Sequence, residues 1–153
     1  PEAKFLFISN NNNKDITDAA KKFNITEDKI IVRFAGRNEV PTLLSFSTYS
    51  LFFIKPCYSK LASSPTKHGE IMAMGIPVIA NSGVGDVKEI IEKYQSGFVL
   101  DHFTETEMEN IIDKAIDPKT KFDACKIREG ARDFYNLEKT VHTYKQVYKK
   151  ILG

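Results

Sequence analysis

The stretch Ser64-Pro65-Thr66-Lys67-His68-Gly69-Glu70-Ile71-Met72-Ala73-Met74-Gly75-Ile76-Pro77-Val78-Ile79-Ala80 decides the fold. It reads as one helix between two strands. Ser64 is a natural N-cap, Pro65 fits the first helical position, and Gly75 sits just past the end. Pro77 blocks continuation and Val78-Ile79-Ala80 begins a buried strand. The apolar run Leu51-Phe52-Phe53-Ile54, stopped by Pro56, is the strand before it. Strand, helix, strand is the βαβ unit, which requires a parallel sheet.

Working outward, the same alternation continues. Phe5-Leu6-Phe7-Ile8 and Ile30–Phe34 are short apolar runs that read as buried strands, and Gly97–Leu100 is another. Between them, helices are expected from Asn13 or Asp15 through Phe23, over Val40–Phe46 with Pro41 in the first turn, and from Asp86 to Tyr94. Thr104 and Glu107 have the spacing of a capping box and open a further helix. One more runs from about Phe122 to Phe134. The last carries Leu137, Val141, Tyr144, Val147, Tyr148, Ile151 and Leu152 on one face. The expected fold class is α/β, a Rossmann-like parallel β-sheet flanked by helices. Residues 1–153 are expected to form a single such domain.

Composition supports this and narrows function. The 153 residues are 42% hydrophobic and 27% charged, ordinary globular values that exclude a disordered tail. Lys+Arg 22 against Asp+Glu 20 gives +2, so charge offers no argument for a nucleic-acid or membrane partner. Cys57 and Cys125 have no metal or redox spacing and are expected as reduced core residues of a cytoplasmic protein. His68, His102 and His142 show no ligand spacing, so no metal site is expected. The asparagine run Asn10–Asn13 is read as a solvated loop.

Parallel sheets bind ligands beyond the carboxyl ends of their strands, which selects Ser9–Asp15, Phe34–Val40, Pro56–Lys67, Asn81–Asp86 and Asp101–Thr104; three candidates stand out in and beside them. The first is Ser64-Pro65-Thr66-Lys67. A helix N-terminus there presents free N–H groups and a positive dipole end, with two hydroxyls added, and suits an anion such as phosphate. Lys67 is a cation in the first turn, unfavourable by roughly 0.3–1 kcal/mol unless an anion is bound. Glu70 shares its helix face and can accept hydrogen bonds from sugar hydroxyls. A plain capped helix with a surface Lys67–Glu70 pair is the alternative, with His68 a polar position on its exposed face. The second segment is Asn81-Ser82-Gly83-Val84-Gly85-Asp86, where Gly83 and Gly85 allow close backbone approach. A simple turn is the alternative here. It is no dinucleotide fingerprint, because Lys88 stands where the third glycine belongs. The third is Arg33-Phe34-Ala35-Gly36-Arg37, able to flank a planar base, with solvated arginines as the alternative.

The block from Pro65 to Ala80 resembles the donor-nucleotide segment of the retaining glycosyltransferase family 4, enzymes of two-domain GT-B architecture. That family's pattern is a glutamate, seven residues, a second glutamate, then Ala-Met-Ala-x-Gly-x-Pro-Val-Ile. Asn81–Glu89 is similar to its glycine loop and trailing glutamate. The specific resemblance spans residues 51–100. It implies a donor-binding C-terminal domain for a nucleotide-diphosphate sugar, working without a metal or other cofactor, for retaining transfer to a saccharide or lipid-linked acceptor in polysaccharide biosynthesis. It implies catalytic roles for Lys67 and for Glu70, which matches the ribose-binding glutamate. It implies donor contacts from Ser64, Pro65, Thr66 and Gly69 at the diphosphate, from Phe34 and Arg37 at the base, and from Gly83 and Gly85. Two departures stand out. Ala62 occupies the position of the first glutamate, which touches the donor sugar in the family. The chain also starts, at Pro1, after the family's opening strand, so the expectation is a domain lacking its first strand and its N-terminal acceptor partner. Any membrane contact would come through that partner, and the fragment alone is expected to be inactive. In the family's strand order, 3-2-1-4-5-6, the absent strand is central, so the sheet is expected to be interrupted. A non-catalytic nucleotide- or saccharide-binding module of the same fold is the runner-up, favoured by Ala62.

Overall fold

The structure, a computed structural model, describes residues 3–10 and 13–152. The start at Pro1 and the asparagines Asn11 and Asn12 lie outside the described residues. The chain forms two compact units, Pro1–Ser47 and Thr48–Gly153.

In the first unit β1 (Phe5–Ile8) and β2 (Ile30–Arg33) pair in parallel, Phe5 opposite Ile30. Helix α1 (Asn13–Lys21) connects them and α2 (Val40–Leu44) follows. Full burial of these strands is not what the structure shows. Phe5, Phe7 and Ile31 are exposed while their neighbours are half-buried. Two strands have two edges and little surface to share, so apolar content alone does not bury them.

The second unit holds β3 (Ser50–Phe52), β4 (Val78–Asn81) and β5 (Gly97–Leu100), all parallel, in that order. Helices α3 (Thr66–Ala73) and α4 (Val87–Tyr94) make the crossovers. Helices α5 (Glu105–Ile116), α6 (Ala124–Phe134) and α7 (Leu137–Leu152) follow. Among the described residues no strand pairing joins β1–β2 to β3–β4–β5.

Only β4 is buried at every position. On one side Met72, Ile90, Ile127 and Ala131 from α3, α4 and α6 close into a cluster with Tyr94, Phe122 and Tyr135. Another cluster joins Ile79 and Leu100 to Ile111 of α5, with Tyr49, Phe98 and Ala115 against it. Removing this much apolar surface from water is the main stabilising term. Helix α3 ends as expected. Gly75 follows Met74 with φ +74, a left-handed residue, and its N–H donates to the Met72 carbonyl at 2.8 Å.

Three further expectations need correction, and one helix face is notable. Helix α3 begins at Thr66 with Pro65 as N-cap, one residue later than the Ser64 cap. The capping box of α5 forms only in part. Thr104 Oγ1 accepts from Glu107 N–H, but the Glu107 carboxylate accepts instead from Asp101 and His102 N–H, at 2.6 and 2.8 Å. Those amides lie just past β5, so Glu107 ties the strand end to the helix. Cys57 and Cys125 are exposed rather than in the core, because both sit in short polar stretches at element ends. The apolar face of α7 is also uncovered: no residue of that helix is buried, and Leu137, Ile151 and Leu152 are more than two-thirds exposed.

Beyond Phe52 the ladder between β3 and β4 is continued by a side chain. Asn81 Oδ1 accepts from Ile54 N–H at 2.8 Å, and Nδ2 donates to the Ile54 and Ser82 carbonyls at 2.9 and 2.7 Å. The residue is 2% exposed, so alanine there strands backbone groups away from water. Asn81→Ala is expected to lower the unfolding free energy by about 2 kcal/mol in urea titration. A loss within about 0.5 kcal/mol, the scale of ordinary surface changes, would show that the clip contributes little.

Candidate functional site

The carboxyl ends of β3 and β4 lead into two loops that meet. Lys60 carbonyl oxygen accepts from both Ser63 N–H, at 3.1 Å, and Gly85 N–H, at 2.9 Å. Gly85 has φ +46, and a Cβ there would lie 1.8 Å from the Ser63 carbonyl oxygen. Only glycine permits this approach. Gly83, with φ +75, packs near Pro56. The result is a shallow cleft of about 330 Å³ lined by Ala62, Ser63, Ser64, Gly85, Asp86 and Glu89 among others. Asp86 Oδ1 is buried at its edge with no hydrogen-bond partner.

Helix α3 opens beside this cleft. Pro65 has no hydroxyl or carboxylate, no side chain caps the helix, and its first turn carries no acidic residue. The Thr66 and Lys67 N–H groups therefore have no protein acceptor among the described residues. Three further donor groups lie in this turn or next to it: the hydroxyls of exposed Ser64 and Thr66, and the ammonium of exposed Lys67. Lys67 and Glu70 do not form the surface pair that a plain capped helix would show; neither makes an ion pair or side-chain hydrogen bond among the described residues. Both remain available to a ligand.

The structure thus brings Ser64 and Gly85 to one cleft, and sets Pro65, Thr66, Lys67 and Glu70 along the start of α3. Ala62, where the motif's first glutamate is absent, lines the cleft, as does Glu89. Phe34 and Arg37 belong to the first unit, where both are exposed, on a turn in which Gly36 N–H donates to Glu39 Oε2 at 2.8 Å. Lys88 is held by Asp101 at 2.8 Å, linking α4 to the end of β5. Among the described residues no three His, Cys, Asp or Glu side chains gather as a metal cluster, and no helix is long and apolar enough to cross a membrane.

His68 is the main surprise. It is fully buried, not on the exposed helix face. Its ring lies between Phe52 and Tyr135, and Nδ1 shares a hydrogen with the Tyr135 hydroxyl at 3.1 Å, while Nε2 has no partner. Gly69 is buried against the same ring: a Cβ there would come within 2.7 Å of Tyr135 Cγ. Burial depresses the His68 pKa from 6.5 to about 4, and raises that of Tyr135 to about 12. No sequence pattern marks Tyr135 as a partner of this turn, 67 residues away.

The chain belongs to the glycosyl transferases group 1 family, whose model matches residues 1–133. Its fold is that of a GT-B glycosyltransferase domain, α/β with parallel sheets flanked by helices. Among solved structures it is similar to sucrose-phosphate synthase from Thermosynechococcus elongatus, with a TM-score of 0.70 and 17% identity over 96% of this chain. The chain spans 38% of the length of that structure. A search of curated proteins finds no match.

The His68 shift fixes a pH dependence. Above pH 6.5 the imidazole is neutral whether folded or unfolded. Between 6.5 and about 4 the unfolded chain takes up a proton that the folded chain refuses, so stability falls with pH. About 2 kcal/mol should be lost between pH 7.5 and pH 5, measured by urea unfolding. His68→Gln should flatten that interval, and an unchanged slope in the variant would disprove the assignment.

Proposed function

We propose that this chain binds the nucleotide-diphosphate sugar donor of a glycosyltransferase that transfers with retention to a saccharide or lipid-linked acceptor. The observation that carries the reading is the uncapped start of α3, with no acidic residue in its first turn and an unpaired lysine in it. Amides, hydroxyls and an ammonium converge there without an anion of the protein's own. A diphosphate supplies the missing charge. As the bond from the sugar to the diphosphate breaks, negative charge grows on the leaving oxygen, and donors already fixed around it stabilise that charge without reorganising. Lys67 adds a charge-assisted hydrogen bond to it.

The remaining roles follow from the motif. Glu70 accepts from the ribose hydroxyls, Ser64, Pro65, Thr66 and Gly69 form the phosphate turn, and Gly83 and Gly85 let backbone come close to the donor. Phe34 and Arg37 meet the base. The reading needs no metal, since the lysine and the helix end supply the positive charge. Acceptor binding falls to a separate domain, and a cytoplasmic site of action accords with a nucleotide-activated donor. Ala62 favours a second reading, a nucleotide-binding module without transfer, because the cleft lacks the carboxylate that the motif places against the sugar.

Calorimetric titration with UDP- and GDP-sugars separates these from an ordinary helix start. One donor series should bind, Lys67→Ala should weaken it about tenfold, the equivalent of about 1.4 kcal/mol, and Glu70→Ala should weaken it comparably. Unchanged affinity in both variants, or no binding of either series, would sink the site assignment. Transfer of a labelled sugar by an enzyme containing this domain distinguishes the first reading from the second. NAD should produce no thermal shift.

A further inference from the structure

We propose that Tyr135 is a positioning residue for the start of α3, its ring filling the space left by Gly69 and its hydroxyl holding His68 beneath the Thr66–Lys67 amides. The inference rests on the reading of that turn as a phosphate site and adds to it a residue from a distant element.

Three observations converge on Tyr135. It is the C-cap of α6, so its backbone is set by the core cluster of Ile127 and Ala131 with Met72 of α3. Its ring lies where any side chain at position 69 would be, with ring atoms at 2.7, 2.9 and 3.1 Å from the Cβ position. Its hydroxyl is, among the described residues, the hydrogen-bond partner of the His68 side chain, at 3.1 Å from Nδ1. His68 and Gly69 directly follow the two residues with uncapped amides, so one phenol packs against and bonds the turn from its buried side.

An uncapped helix start frays unless something holds it. A cap from the protein would occupy the donors that the ligand needs. A brace from below holds the turn while leaving those donors free. His68 is suited to the arrangement because it is fully buried and uncharged, so the brace adds no positive charge and no counter-ion behind the site.

Tyr135→Phe tests this, since it keeps the ring over Gly69 and deletes only the hydroxyl. Tyr94→Phe is the control: Tyr94 packs over Gly130 in the same way, in the same core cluster, and its hydroxyl bonds Asp133 rather than the α3 turn. Backbone ¹⁵N order parameters are the first readout. In Tyr135→Phe those of Thr66 and Lys67 should fall from the rigid range near 0.85 toward the flexible range below about 0.6, and the His68 side-chain ¹⁵N shifts should move. Tyr94→Phe should change neither. Affinity for UDP or GDP, whichever binds, should drop at least fivefold in Tyr135→Phe alone. Unchanged order parameters at Thr66 and Lys67, or an equal fall in both variants, would overturn the proposal. If neither nucleotide binds the unaltered chain, the donor-site reading falls, while the order parameters still decide whether Tyr135 positions the turn.

Discussion

A helix start whose donors have no acceptor among the described residues is the constraint around which the second unit is organised. Every α-helix leaves its first amides unpaired, and most chains satisfy them with a side-chain oxygen at the N-cap. Here α5 and α6 follow that rule, with Thr104 and Asp123 accepting from amides of their first turns. Helix α3 does not, because Pro65 occupies the cap. The surrounding structure reads as a response to that omission. Gly85 packs its backbone directly against that of Ser63 in the preceding loop, and Gly69 admits an aromatic ring under the first turn. Chemistry on the outer side of the turn is left open while its inner side is fully packed.

This division explains the unequal burial of neighbouring residues in one short segment. Thr66, Lys67 and Glu70 are exposed, whereas His68 and Gly69 between them are buried. The helical period places the first set on one face and the second on the other. A polar ring buried in the second set would be an odd choice for a core, where unpaired polar atoms are costly. It is intelligible when the same ring shares a hydrogen with Tyr135.

The fold was legible because its signals are local. The Pro65–Pro77 block contains its own start and stop, β4 begins with the apolar run Val78-Ile79-Ala80, and Gly75 takes the left-handed turn its position demands. The phosphate-like character of Ser64–Lys67 was readable for the same reason. What sequence did not disclose depends on contacts between distant elements. The burial of His68 follows from Tyr135, and periodicity around position 68 carries no trace of it. Exposure of Phe5, Phe7 and Leu51 was also hidden, since an apolar run states what a strand can bury and not how many neighbours it has. Cys57 and Cys125 failed likewise: their apolar character was read, but their place at element ends was not.

The strands of the second unit pair in the order in which they occur, β3 with β4 and β4 with β5, each through one crossover holding one α-helix. Such a sheet grows by addition at one edge, and no strand must wait for a later one before it finds its neighbour. Each closure spans one crossover, so the entropy lost in bringing partners together stays modest at every step. Parallel sheets are slow to form when their pairings are remote in sequence. This one is built from the nearest pairings a parallel topology allows, which favours assembly that keeps pace with emergence of the chain from its amino-terminal side.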